Sequence, residues 1–385
     1  MSDSFRSFDL LKSSLTALER MGIDTPTPIQ AQALPLLLDG HDLIGQARTG
    51  SGKTLAFSLP MMEYVEPSEK EVQALVLTPT RELATQIATV VEELAKADRL
   101  RTLTIFGGRA IGPQEKRLRD GIQIVVGTPG RVLDLIQRGT LKLHRVNYVV
   151  IDEADEMLDQ GFAPAVERIL GSIKHDHLTA LFSATMPDWV HQASRKYLHK
   201  PRTVAIDTAP EDVPDIEHLA CEVPEGLRFK ALTCLLEERG DGSAIIFGRT
   251  KYGVKKLTRI LEREGYPVAA LQGNMSQNAR DRVMQAFRDG EVGILVATNV
   301  AARGLDVDHV ELVINYELPE NHELLTHRVG RTGRMGRQGR AFTLLTPSDA
   351  TKWRSMERGL GRSIKKVRWQ DPDSRPSRQS RSRRR

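Results

Sequence analysis

The chain has 385 residues, 40% hydrophobic and 27% charged, the balance of a folded protein with two or three domains. Fifty-five basic residues against 50 acidic ones give a net charge of +5, which permits a polyanionic partner, while Cys221 and Cys234 are too few for a disulfide framework or a four-thiolate zinc site and point to a reducing compartment. The polar N-terminus has no apolar signal core and no apolar run nears the roughly 18 residues of a spanning helix, so secreted and membrane classes are set aside and a cytoplasmic protein is expected.

Along the chain, the apolar stretch Asp42-Leu43-Ile44 runs into Ala47-Arg48-Thr49-Gly50-Ser51-Gly52-Lys53-Thr54. A glycine-rich turn from strand into helix aims several backbone N–H groups at one point, which suits a phosphate chain. Lys53 would reach the β/γ-phosphates of a nucleotide, and the Thr54 hydroxyl would ligate Mg2+. Short runs rich in Val, Ile and Leu follow at Leu75 to Leu77, Ile122 to Val126, Tyr148 to Ile151 and Ala180 to Phe182. A second series lies at Ala244 to Phe247, Val268 to Leu271, Ile294 to Ala297 and Leu312 to Ile314. Continuous apolar strands alternating with amphipathic helices predict an α/β fold, two tandem parallel-sheet domains covered on both faces.

The expected organisation is a first domain over 1–207, a linker over 208–217, a second domain over 218–361 and a basic tail over 362–385. The linker holds Pro210, Pro214 and four acidic residues, with little to bury. From Arg375 onward only Arg, Ser, Pro and Gln occur, a composition expected to be disordered. Asp152 and Glu153 directly follow the apolar strand ending at Ile151, where α/β sheets bind ligands. Asp152 would hold Mg2+ through water, and Glu153 would polarise a hydrolytic water.

A phosphate loop followed by Asp152-Glu153-Ala154-Asp155 resembles the DEAD-box ATP-dependent RNA helicases, and the resemblance extends over about residues 5–360. It implies two RecA-like domains, ATP and Mg2+ as cofactors, and RNA as partner. The segment from Gly22 to Gln30 resembles the family's adenine-reading element, with Phe5 as upstream aromatic and Thr25 and Gln30 as contacts. A carboxamide donates and accepts at once, which suits adenine; Gln30 is equally placed to cap a helix starting at Pro28. Pro79-Thr80-Arg81, Gly107-Gly108 and Thr128-Pro129-Gly130-Arg131 resemble the RNA-backbone motifs, with Arg249, Thr250, Gly273 and Thr298 from the second half. Ser183 and Thr185 resemble the motif that links hydrolysis to strand separation, bonding near Asp155, and His327 couples nucleotide to RNA.

No phosphate loop recurs in the second half, so one ATP site is expected. Gly304 and Asp306 are implied nucleotide contacts. Arg331 and Arg334, expected three apart on one helical turn, are implied arginine fingers at the γ-phosphate. The chain departs from the family pattern at Arg48, at Asn299 where Asp is usual, and at Leu325-Thr326 before His327.

The implied activity is an RNA-dependent ATPase, working as a monomer, that opens short RNA duplexes or remodels RNA–protein complexes, with ribosomal and mRNA-decay particles as candidate substrates. An RNA clamp with little unwinding and a DNA translocase remain as alternatives, the latter opposed by the Asp-Glu-Ala-Asp and Gln30 motifs. Residues 362–385 hold ten basic and two acidic residues, so the first 361 residues carry a net charge of −3. The basicity belongs to the tail, which would tether RNA without sequence preference.

Overall fold

The computed structural model describes residues 4–47, 50–206, 216–240, 242–273, 275–299, 309–333 and 338–372. The chain divides into two compact units; among the described residues, the first ends at 206 and the second begins at 216.

Unit 1 is a seven-stranded parallel sheet built from β1 (Leu43–Gln46), β2 (Ala74–Leu77), β3 (Thr102–Ile105), β4 (Ile124–Gly127), β5 (Tyr148–Ile151), β6 (Leu178–Ser183) and β7 (Arg202–Ala205), in the order β3-β4-β2-β5-β6-β1-β7. Every paired neighbour is parallel, for example Leu75 with Val149 and Leu43 with Ala180. The strands are short and apolar because both faces are buried and each residue sends its side chain to one of two cores. Val76, Val126, Tyr148, Val150 and Phe182 pack toward α2 (Pro28–Leu38), α3 (Lys53–Glu63) and α4 (Arg81–Ala95). Leu75, Leu77, Val125, Val149 and Ile151 pack the other way, toward α6 (Pro129–Gln137), α8 (Ala163–Leu170) and α9 (Asp188–Tyr197). The remaining helices are α1 (Lys12–Arg20), α5 (Ile111–Arg119) and α7 (Ala154–Asp159).

Unit 2 repeats the plan. Its strands are β8 (Ile216–Glu222), β9 (Ser243–Phe247), β10 (Val268–Leu271), β11 (Ile294–Ala297), β12 (Val310–Asn315), β13 (Gly339–Leu345) and β14 (Lys365–Arg368), all parallel, in the order β10-β11-β9-β12-β13-β8-β14. Its described helices are α10 (Arg228–Glu238), α11 (Lys251–Arg263), α12 (Gln277–Arg288), α13 (His322–Val329) and α14 (Ala350–Leu360). Ile246, Val296, Ile314 and Leu344 form one core face with Leu232 and Leu236 of α10 and Leu257 and Leu261 of α11.

Three expectations are corrected. The linker was placed over 208–217, but β8 already begins at Ile216 and aligns with β13 from Ile216↔Gly339 onward. The tail was placed from 362, but Lys365–Arg368 is a strand on β8; Ile364 is buried, and Val367 and Trp369 pack on the core. A charged composition masked this strand because it lies at the sheet edge, where lysine is common. Arg331 does not continue a helix: α13 ends at Val329 with Gly330 as its C-cap. Arg48, Thr49, Gly304, Asp306 and Arg334, most of the expected linker, and the tail from 373 lie outside the described residues.

Candidate functional site

In a parallel sheet the loops after each strand gather at one edge, and unit 1 divides that edge into two clusters. The first lies after β1, β5 and β6, three strands adjacent in the order β5-β6-β1. The chain leaves β1 through Ala47 and begins α3 at Lys53, with Gly50 at φ 87° and Gly52 at φ 92°. Gly52 has to be glycine on two counts. Its φ is left-handed, and a Cβ there would fall 2.6 Å from the Gln30 side-chain nitrogen and 2.8 Å from the Thr27 hydroxyl.

Lys53 is buried, with its Nζ donating to the Ala47 carbonyl at 3.1 Å and lying 3.8 Å from Asp152 Oδ1. Burial pushes the Asp152 carboxyl above its usual range; Lys53 alongside it and the Glu153 N–H, which donates to Oδ1 at 3.0 Å, act in the opposite direction. Glu153 is buried and stands at φ 55°, ψ 54°, a left-handed conformation rare for a residue with a Cβ. Asp155 is held from β6: its N–H donates to Ser183 Oγ at 3.2 Å, and its Oδ2 accepts from both the N–H and the hydroxyl of Thr185 at 2.8 Å. Ser183 in turn donates to the Thr185 carbonyl at 2.6 Å. Thr54 is half-buried on the first turn of α3, and Ser51 is half-buried in the loop before it.

Gln30 joins this cluster from α2. Its Oε1 accepts from the Thr27 N–H at 2.8 Å and its Nε2 donates to the Gly52 carbonyl at 2.9 Å, so it closes a capping box and ties α2 to the phosphate loop. A carboxamide has two donors and two acceptor sites, so one of each remains for a ligand. Thr25 is exposed, whereas Phe5 is 3% exposed and packs in the core of unit 1 with its ring 6.4 Å from that of Phe8.

The second cluster follows β2, β3 and β4. Pro79 and Thr80 lead into α4, where Thr80 Oγ1 caps the helix by accepting from the Leu83 N–H at 3.2 Å, a cap worth about 1 kcal/mol. The Arg81 guanidinium lies over Gly107 and Gly108; at Gly108, φ 81°, an added Cβ would sit 2.7 Å from its Cζ. Arg131 donates from both terminal nitrogens to the Arg109 carbonyl at 3.3 Å, and its Nε lies 3.6 Å from Asp134. Thr128 precedes Pro129 and Gly130 at the start of α6 and makes no side-chain bond to the helix. Three sequence-distant segments are thereby braced into one surface of glycine, threonine and arginine.

Unit 2 gathers its candidates at the matching strands. Arg249 follows β9 and its N–H donates to Glu317 at 2.7 Å; Thr250 caps α11 by accepting from the Gly253 N–H at 3.0 Å. Gly273 follows β10 and is exposed, and Thr298 follows β11 and is buried, with its N–H on the Leu271 carbonyl at 3.4 Å. His327 lies in the last turn of α13, and Arg331 is buried just beyond it.

The sequence reading did not single out Arg328. This side chain is 2% exposed and donates to Asn299 at 2.6 Å, Asn315 at 3.1 Å and the Glu317 carbonyl at 2.7 Å, with its guanidinium 4.9 Å from the Phe247 ring centre. Burial lowers its pKa to about 9, and nearby Glu317 opposes the shift. Arginine is seldom fully buried, so residue type hid this role. Asn299, singled out in the sequence for another reason, is its partner here, an amide oxygen facing the guanidinium.

Comparison with known proteins follows the same division. Residues 27–193 match the DEAD/DEAH box helicase family model, and residues 227–336 match the helicase conserved C-terminal domain. The chain is 41% identical over 368 residues to the DEAD-box ATP-dependent RNA helicase CshA of Bacillus subtilis, covering 96% of this chain and 74% of that protein. It is 43% identical over 366 residues to the ATP-dependent RNA helicase DeaD of Haemophilus influenzae, covering 94% of this chain and 60% of that protein's length. Among solved structures, S. cerevisiae Dbp5 bound to RNA and ADP BeF3 matches with a TM-score of 0.86 at 34% identity, covering 95% and 96% of the two chains. Mss116p bound to ssRNA and AMP-PNP matches with a TM-score of 0.83 at 28% identity, covering 94% of this chain and 78% of that one. With both RecA-like units matched and the identity sustained across them, the chain belongs to the DEAD-box ATP-dependent RNA helicases.

Proposed function

We propose that the chain is an RNA-dependent ATPase that uses ATP binding and hydrolysis to open short RNA duplexes or to remodel RNA–protein complexes. The observation that carries this reading is the division of one sheet edge in unit 1: Lys53, Asp152, Glu153 and Asp155 at β1, β5 and β6, and Arg81, Gly108 and Arg131 at β2, β3 and β4. The two sites share a rigid frame through β5 and β2, which are hydrogen-bonded neighbours.

In this reading the loop from Ala47 to Thr54 binds the phosphates, and Lys53 exchanges its bond to the Ala47 carbonyl for a phosphate oxygen. A buried carboxylate supported by a single lysine fits a divalent cation, so Asp152 and Thr54 are the residues that would hold Mg2+, which neutralises phosphate charge when bound. Glu153 orients and polarises the attacking water, and Arg331 with Arg334 stabilises charge developing on the γ-phosphate. Gln30 selects adenine through its remaining donor and acceptor, with the exposed Thr25 flanking the base; Phe5, expected beside the base, is instead packed in the core of unit 1. Asp155, Ser183 and Thr185 pass the nucleotide state from β5 to β6, and His327 does so in unit 2.

RNA is held by Thr80, Arg81, Gly108, Thr128, Arg131, Arg249, Thr250, Gly273 and Thr298 through phosphate and sugar, so little sequence preference is expected. The 2′-hydroxyl separates RNA from DNA. A cytoplasmic monomer acting on ribosomal or mRNA-decay particles belongs to the same proposal.

The test is phosphate release with and without single-stranded RNA, beside displacement of a strand from a short RNA duplex. ATP hydrolysis stimulated by RNA and not by DNA of the same sequence is expected, with ATP-dependent displacement. Equal stimulation by DNA would sink the RNA assignment; hydrolysis without displacement would leave a clamp.

A further inference from the structure

Outside both clusters, unit 2 carries a basic groove that the proposed cycle does not use. It has a volume of about 750 Å³ and runs along the outer face of α14, lined by Arg354, Arg358 and Arg362 together with Glu357, Gly361 and Ser363. Arg354 and Arg358 are one helical turn apart and share a face. Gly361, left-handed at φ 64°, ends the helix and turns the chain so that Arg362 lines the same groove. All three arginines are exposed, and none has a carboxylate partner among the described residues.

The one acid in the groove does not neutralise them. Glu357 has its Oε1 on the Ile364 N–H at 3.2 Å and its Oε2 3.7 Å from Lys366. Its charge is spent on pinning β14, leaving the groove positive. The helix is itself firmly seated: Trp353 and Met356 are buried, and Gly359 packs so closely on His322 of α13 that no Cβ would fit. In sequence, Lys365 and Arg368 on β14 are followed, after Asp371 and Asp373, by six arginines with no acid from Ser374 to Arg385.

We propose that the Arg354–Arg358–Arg362 groove is a second RNA-binding surface, taking the phosphates of an RNA segment outside the core site. The inference rests on the reading that the chain binds RNA. Guanidinium groups suit this role because each presents a planar fork of donors to a phosphate. Two of them a turn apart on a packed helix, with the third brought alongside by the turn at Gly361, are already arranged for a repeating anion, so little order has to be created on binding. The partner is RNA rather than an acidic protein because the sequence that follows, from Arg375 on, is Arg, Ser, Pro and Gln alone, which adds charge for a polyanion and no apolar residue to dock a protein partner.

The test uses the full chain carrying Arg354→Gln, Arg358→Gln and Arg362→Gln together, all exposed positions. Binding is read by fluorescence anisotropy on two single-stranded RNAs, one just long enough for the core motifs and one several times longer, across a salt series. Each lost phosphate contact on a single strand lowers the slope of log affinity against log salt by about 0.7, so the slope for the long RNA should flatten by about 2. Affinity for the long RNA should fall about tenfold, while the short RNA changes far less. A triple lysine variant, which keeps the charge, should retain most of the slope. An unchanged slope for the long RNA, or equal losses on the short and long RNAs, would overturn the proposal. Failure of the functional reading would look different, as absence of RNA-stimulated hydrolysis in the unaltered protein.

Discussion

In unit 1 the chain leaves β1 through Gly50 and Gly52 and opens α3 with Lys53; in unit 2 it leaves β8 through Val223 to Leu227 and opens α10 with Arg228. The strands around these turns occupy the same places in the two sheet orders. Yet Lys53 points back to its own loop carbonyl and toward Asp152, contacts that a phosphate can replace. Arg228 instead donates to Thr346 at 3.0 Å, pairs with Asp349 and lies 5.9 Å from the Tyr316 ring centre. The position that in unit 1 is the proposed nucleotide site is filled in unit 2 by the protein's own ion pair. One topology thus supports a nucleotide site or a packed structural corner, and a few loop residues decide which.

Three measurements would break or sharpen this contrast. The largest effect is expected at Glu153→Gln in unit 1: kcat should fall by about 100-fold or more, as for loss of a general base, while ATP and RNA still bind. Near-normal turnover would remove Glu153 from its role.

The second concerns unit 2 and pH. His218 on β8 is mostly buried, with Thr343 at 2.9 Å, the Trp353 ring at 6.4 Å and Arg362 nearby, and burial with Arg362 lowers its pKa to about 4. Because the folded pKa lies below the unfolded value of 6.5, the stabilisation is complete above pH 6.5 and is lost as the pH falls toward 4. That difference corresponds to about 3 kcal/mol, seen as a weaker second unit in urea titrations at acid pH and flattened by His218→Gln. A pH-independent unit 2 would contradict it.

The smallest effect is expected at Arg228→Ala. It should cost unit 2 about 2 kcal/mol in urea unfolding while RNA-stimulated hydrolysis persists, since the residue fills a corner rather than serving a ligand. A tenfold loss of hydrolysis with stability intact would show that the corner is functional after all.

The residues themselves explain what could be read in advance. The phosphate loop and Asp152 announce their chemistry because glycine, lysine and an acid after an apolar strand have few other reasons to coincide. Most central strands were legible for a related reason, being almost wholly apolar; β8 and β13, central in the second sheet, were not, because Glu217 and His218 interrupt one and Arg340 and Thr343 the other. Thr102–Ile105, Arg202–Ala205 and Lys365–Arg368 were not, since all three are edge strands with polar or charged residues. Arg331 was misread as helical because Gly330, which stops α13, also fits a helical pattern when only spacing is considered. The bracing of Arg81 by Gly108 and of Arg131 by the Arg109 carbonyl depends on contacts between distant segments, which no local pattern encodes.

Glu153 occupies a backbone conformation that its residue type disfavours. Its left-handed backbone costs about 1 kcal/mol in a residue with a Cβ, and glycine or asparagine would sit there more easily. A population screened for thermal endurance alone would drift away from glutamate at this position. With the proposed role of Glu153, endurance and turnover pull in opposite directions at this one position.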